Sequence, residues 1–183
     1  MLGFPVIKAA KNLNYLTQAG YTAVLFDEIA TFNEDHKKII ERKISGIYSP
    51  GTFVADDRPI HSSNYLLCAY IAEEPQLKGA PSLHAIGITL IDIVTARSII
   101  HEFYSSQLDT NFGLDELFRF MQIFKPTEVV IYYHPVKMDP KTISSIKSYL
   151  ELDSIPQSYF CVYYKEKDEG SLNLLTEKSF KIN

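Results

Sequence analysis

"GLDELFRFMQIFKPTEVVIYYHP" (residues 113–135) decides the fold. Leu114, Leu117, Phe118, Met121 and Phe124 recur at helical spacing and share one face. Asp115 and Glu116 occupy the first turn, where the helix dipole favours acids, and Pro126 stops the helix. "TEVVIYYHP" then turns to β-branched and aromatic residues, the composition of a strand. A helix that hands over within two or three residues to an apolar strand points to an α/β layer architecture. The neighbours of that strand follow from the flanking sequence.

Upstream, "NYLLCAYIAEE" (64–74) is a nearly continuous apolar run, the pattern expected of a strand covered on both faces. "LHAIGITLIDIVTARSIIHEFYSS" (83–106) reads as two further strands with a turn near Thr95, Ala96 and Arg97. Downstream, "DPKTISSIKSYLEL" (139–152) is a second helix with Asp139 as N-cap and Pro140 at the first helical position. Its inward residues are Ile143, Ile146 and Leu150, and "SYFCVYY" (158–164) closes as a fifth strand. The remaining residues are mixed, with a short helix expected around Leu172 to Leu175. The order β-β-β-α-β-α-β gives a mixed five-stranded α/β sheet with flanking helices, as in ribonuclease H-like folds.

The first fifty residues are organised differently. Val6, Ala9, Ala10, Leu13 and Leu16 mark one helix face, Pro5 suits the first helical position, and Gly20 supplies a left-handed stop. "YTAVLFDE" (21–28) is a short strand ending in Asp27 and Glu28. "TFNEDHKKIIERK" (31–43) is charged and holds the densest basic cluster of the chain, Lys37, Lys38, Arg42 and Lys43. It reads as a solvated loop or helix face; the alternative is contact with phosphates, which would make binding salt-dependent. Pro50 and Gly51 then form a turn, and residues 54–63 are a polar linker. The expected organisation is residues 1–53 as a partial domain, 54–63 as linker and 64–183 as a complete domain. One helix and two strands cannot enclose a core, so the first part is either packed on the second or truncated at its N-terminus.

The net charge of −4 argues against a surface coated in basic residues for nucleic acid. Cys68 and Cys161 lie in apolar runs without metal-ligand spacing and read as buried thiols in a reducing compartment. With no signal peptide and no long apolar run, the expectation is a soluble, intracellular protein with no membrane partner.

Ribonuclease H-type nucleases hold divalent metals on several carboxylates. Here the first strand of that fold has no internal acid, Glu73 and Glu74 lie at its end, and the fourth strand ends in His134. Asp92 is an acid inside a strand, but no second acid is placed to share a metal with it, so a structural role at a sheet edge or a turn is expected. The histidines 36, 61, 84, 101 and 134 show no zinc spacing, and no nucleotide-binding glycine motif is present. The residues therefore indicate a non-catalytic module with no metal or cofactor of its own.

"GFP" and "YLTQAGYTAVLFDE" followed by "RKISGIYSPGT" resemble the last part of the mismatch-recognition domain of the MutS family of DNA mismatch-repair proteins. Ser49 stands where that family usually has Thr, and Asp27-Glu28 where Glu-Gln is typical. The stretch from Asn64 onward resembles the family's connector domain. Gly87, Asp92 and Thr95 fit its G-x-x-x-x-D-x-x-T-G strand pair, with Ala96 at the final Gly, and Pro126, Glu128, Val129 and Val130 fit its P-x-E-h-h segment. The resemblance covers about residues 2–135, and the lysine-, isoleucine- and tyrosine-rich style is similar to the organellar and giant-virus branch.

The resemblance implies mismatched-DNA binding, coupling to an ATPase, and docking of a MutL-like protein alongside the remaining MutS domains. The family's mismatch-reading F-x-E motif has no counterpart here, Phe4 not being equivalent, and its Walker motif is also unmatched. ATP and Mg would thus belong to the full-length family, and this chain would not be an enzyme. The alternatives are a ribonuclease H-like nuclease or resolvase with a divergent acidic site, and a stand-alone interaction domain.

Overall fold

The computed structural model describes residues 3–32, 38–54, 63–76, 80, 82–155, 157–163 and 174–175. The chain divides into two compact units, Met1–Pro59 and Ile60–Asn183, and the division falls within the segment read as linker.

In the first unit a 3₁₀ turn (Val6–Lys8) leads into α1 (Ala9–Gln18). Pro5 sits one step earlier than expected, capping the 3₁₀ turn in an extended conformation. The tighter winding of that turn breaks the 3.6-residue register, so Val6 points to solvent at 89% exposure. The buried pair is Leu13 and Thr17, whose hydroxyl donates to the Leu13 carbonyl at 2.9 Å. Gly20 ends the helix at φ 84°, with Tyr21 N–H donating to Leu16 O and Gly20 N–H to Thr17 O, a Schellman closure.

β1 (Ala23–Phe32) and β2 (Lys38–Tyr48) form a two-stranded antiparallel ribbon. Residues 31–32 and 38–43 are thus ribbon strands, not the loop or helix expected from their charge. Cross-strand pairing satisfies backbone groups that a solvated loop would leave to water. The pairing shifts from Leu25↔Gly46 to Phe26↔Ile44, leaving Ser45 as a bulge. Leu13 and Phe53 form the small core, with Ala23, Leu25 and Tyr48 against it. The "SPGT" corner delivers Phe53 to that core. Ser49 N–H donates to Thr52 Oγ1 at 2.9 Å, and Phe53 N–H donates back to Ser49 O at 2.9 Å.

The second unit runs β3 (Tyr65–Glu74), β4 (Leu83–Asp92), β5 (Arg97–Tyr104), α2 (Phe112–Phe124), β6 (Glu128–His134), α3 (Pro140–Tyr149), β7 (Ser158–Tyr163) and β8 (Leu174–Leu175). The strand order is β5-β4-β3-β6-β7-β8, with β3–β6 and β6–β7 parallel and the other pairs antiparallel. Five main strands follow the expected order. Of the short helix expected around Leu172 to Leu175, Leu174 and Leu175 instead form a sixth strand, β8, whose backbone pairs with Tyr163 and Val162, and the rest lies outside the described residues.

Alternation selects one face for the core. Leu67, Ala69 and Ile71 of β3, Ile86, Ile88 and Leu90 of β4, and Val129, Ile131 and Tyr133 of β6 join Leu114, Leu117 and Met121 of α2 and Ile143 and Ile146 of α3 in one cluster. Asp139 caps α3 as expected, accepting from Lys141 N–H at 3.1 Å and from Thr142 Oγ1 at 2.8 Å. α2 ends at Lys125, left-handed at φ 46°, because Pro126 disfavours a helical residue before it. β3 is not covered on both faces as its apolar run suggested. Its residues alternate, and Cys68 and Tyr70 are exposed. Cys68 is therefore not a buried thiol, and Cys161 is only half-buried, because both lie on the face opposite the helices.

Candidate functional site

The ribbon presents the basic cluster with period-two geometry. Lys38 and Arg42 share a face and Lys43 lies on the other. Arg42 stands opposite Glu28 and donates to its carboxylate from Nε at 3.1 Å and Nη2 at 2.8 Å. Lys43 stands opposite Asp27, and its Nζ lies 3.8 Å from Glu41 Oε2. Arg42 and Lys43 are thus each next to an acid, and all three basic side chains are exposed. Lys37 lies outside the described residues. Exposed pairs of this kind are loosely held, so a phosphate can compete for the cations.

Asp92 has a defined structural role. It is 3% exposed, and its Oδ1 accepts from Asn64 N–H and Val94 N–H, each at 3.1 Å, while Oδ2 accepts from Thr95 Oγ1 at 2.8 Å. Burial alone would raise its pKa, but the donors from Thr95, Asn64 and Val94 outweigh it and hold the carboxyl below its ordinary range. The carboxylate closes the β4–β5 turn at Ala96, whose left-handed φ of 57° suits the glycine seen in the motif. Asn64, fully buried, extends the network: Thr127 Oγ1 donates to its Oδ1 at 2.6 Å, and its carbonyl accepts from Ile93 N–H at 3.0 Å. Three chain segments meet there. Sequence reasoning identified Asp92 and Thr95 but missed Asn64 and Thr127, which no local pattern marks.

A second polar cluster lies at the carboxyl ends of β3 and β6. Tyr133 donates to Glu73 Oε1, and Glu73 Oε2 accepts from Val136 N–H at 2.9 Å. Burial, then the Glu73 carboxylate, pushes the Tyr133 phenol well above its usual range. His84 stands directly opposite Glu73 in the β3–β4 register. Burial lowers its pKa, with Glu73 and the Thr110 backbone offsetting only part of that effect. Among the described residues no group of three or more His, Cys, Asp or Glu is placed to hold a metal ion, and no helix is long and apolar enough to cross a membrane.

Comparison with known proteins adds the decisive observation. The chain is 49% identical over 181 residues to a MutS homolog, assigned to DNA mismatch repair, from Acanthamoeba polyphaga mimivirus. It is similar to a MutS homolog. The MutS likeness covers 99% of this chain and includes both units, but the chain spans only 16% of that relative's length. No protein-family model matches. Among solved structures, Marinitoga piezophila Argonaute in complex with guide RNA and target DNA shares 16% identity over 59% of this chain and 18% of its own, at a TM-score of 0.35. LC11-RNase H1 in complex with an RNA/DNA hybrid shares 15% identity over 55% of this chain and 87% of its own, at a TM-score of 0.33. The assignment of the second unit to a ribonuclease H-like α/β arrangement rests on its own strand order and crossovers.

Proposed function

We propose that the chain is a non-catalytic part of a MutS-like mismatch-repair protein. In this reading the first unit is the end of a mismatch-binding domain and touches DNA phosphates through Lys38, Arg42 and Lys43, and Lys37, next to Lys38 in the sequence, belongs to the same basic cluster. The second unit is the connector, linking DNA binding to an ATPase elsewhere in the protein and docking a MutL-like partner. The observation that carries the reading is the 49% identity to a MutS homolog across both units. The engagement of both Asp92 oxygens by internal donors supports it over a nuclease, since a metal would have to displace those hydrogen bonds.

The test is DNA binding as a function of salt. Replacing Lys38 and Lys43 by Ala should reduce the log–log salt slope by about one to two units. An unchanged slope, or no DNA binding by the parent chain, would remove the phosphate role. Capture of a MutL-like protein at two salt concentrations tests docking separately, because specific contact survives screening that abolishes diffuse charge attraction.

A further inference from the structure

Glu73 stands near the end of β3, between β4 and β6, with a different neighbour on either side. Toward β6 its carboxylate is engaged: Oε1 accepts from the Tyr133 hydroxyl and Oε2 from Val136 N–H at 2.9 Å. Toward β4 it faces His84, directly opposite in the antiparallel register. Residues opposed in this way carry Cβ atoms about 5 Å apart, so carboxylate and imidazole are within reach of each other. Alternation puts Glu73, His84 and Tyr133 together on the face that carries the helices.

The imidazole is the unsatisfied member. Both of its ring nitrogens are buried without a hydrogen-bond partner among the described residues. The Thr110 carbonyl lies near enough to favour a charged ring, and Glu73 is the one charge that does the same. The other titratable groups at this end of the sheet are taken up or turned away. Tyr133 is bonded to Glu73, Asp139 at the start of α3 accepts from Lys141 N–H and Thr142 Oγ1, and Asp115 in the first turn of α2 accepts from Tyr149. Glu74, Glu102 and Tyr104 lie on the opposite face of the sheet.

A buried imidazolium needs an acceptor, and burial decides which bond Glu73 can give up to supply it. Tyr133 is 1% exposed, so its hydroxyl would lose its acceptor with no water to replace it. Val136 is 47% exposed, and its N–H can turn to water. A bond between two charged partners is also stronger than one from a neutral amide.

We propose that Glu73 is a proton-operated latch: when His84 takes up a proton, Oε2 leaves Val136 N–H for the imidazolium while Oε1 keeps Tyr133, freeing the turn between β6 and α3. The latched arrangement disfavours the charged ring and the exchanged one favours it, so a fall in pH drives the exchange. Acid thereby loosens residues 135–138 while the sheet stays folded.

The Val136 amide is the reporter. In the 183-residue chain its protection against solvent exchange is measured by NMR, relative to an unstructured amide at the same pH. It should fall about tenfold with the same midpoint as the His84 ring resonances, the factor that one pH unit of proton linkage supplies. The Ile131 amide, in the middle of β6, should stay protected throughout. His84→Phe should keep Val136 protected across the range, and His84→Leu serves as the second variant should the first not fold. Glu73→Gln should abolish the step and move the His84 midpoint further down, because the favourable charge is gone. Three outcomes would overturn the proposal: Val136 protection that does not follow His84, a step that persists in either His84 variant or in Glu73→Gln, or a loss of protection that Ile131 shares. A His84 ring that stays neutral until the whole chain unfolds would do so as well.

Discussion

Asp92 accepts the backbone N–H of Asn64, 28 residues earlier, at 3.1 Å, and so fastens the start of β3 to the β4–β5 turn. Asp92→Asn keeps the shape but replaces one acceptor oxygen by a donor that faces other donors. It should cost roughly 2–4 kcal/mol in denaturant unfolding. Because the folded carboxyl titrates below its unfolded value of about 3.9, its stabilisation is complete above that pH and is lost as the pH falls through the folded value. The variant should therefore show a shallower acid limb.

Tyr133→Phe removes the hydroxyl that satisfies Glu73 Oε1 and should destabilise by about 1–2 kcal/mol. The folded phenol ionises above its unfolded value of about 10, so its contribution is present below that pH and declines only in strong alkali. Spectrophotometric titration of the folded protein should find Tyr133 still protonated when ordinary tyrosines have ionised.

His84 works in the opposite direction. Its folded pKa lies below the unfolded value of about 6.5, so the unfolded chain takes up more protons and stability falls as the pH drops through that value. In an NMR titration its ring resonances should shift below the ordinary histidine value of about 6.5. His84→Phe should flatten the dependence of unfolding free energy on pH between about 5 and 7.

Gly46 lies under the ring of Tyr48. A Cβ there would come within 2.7 Å of the ring carbons. Tyr48 packs edge-on to Phe53 with ring centroids 5.8 Å apart, so Gly46→Ala must displace a member of a very small core. The expected loss is about 1–3 kcal/mol, with near-ultraviolet circular dichroism reporting the loosened tyrosine.

Local chemistry was legible wherever neighbours in sequence are partners in space. Asp139 with Pro140 starts α3, Gly20 stops α1, and Asp92 with Thr95 closes a turn, all within four residues of their partners. The charged stretch that runs into the ribbon's second strand, residues 38–43 included, misled because charge reports solvent exposure, and that strand is almost as exposed as a loop. Its consequence for the candidate site is direct: a strand splits Lys38 and Arg42 from Lys43 and sets each of the last two beside an acid.

The amino-acid sequence by itself determined the order β3 to β7 with the two helices between them, the Asp139 cap and the Gly20 stop, and the likeness to MutS, because each depends on short-range pattern. Only the tertiary structure decided which side of the sheet is covered. An apolar run such as Tyr65–Ile71 contains residues suited to either environment, and the helices pack against one set alone, leaving Cys68 and Tyr70 exposed. Only the fold could bring Asn64, Asp92 and Thr127 together, since hydrogen bonds across 28 and 63 residues form where strands are juxtaposed and leave no local trace.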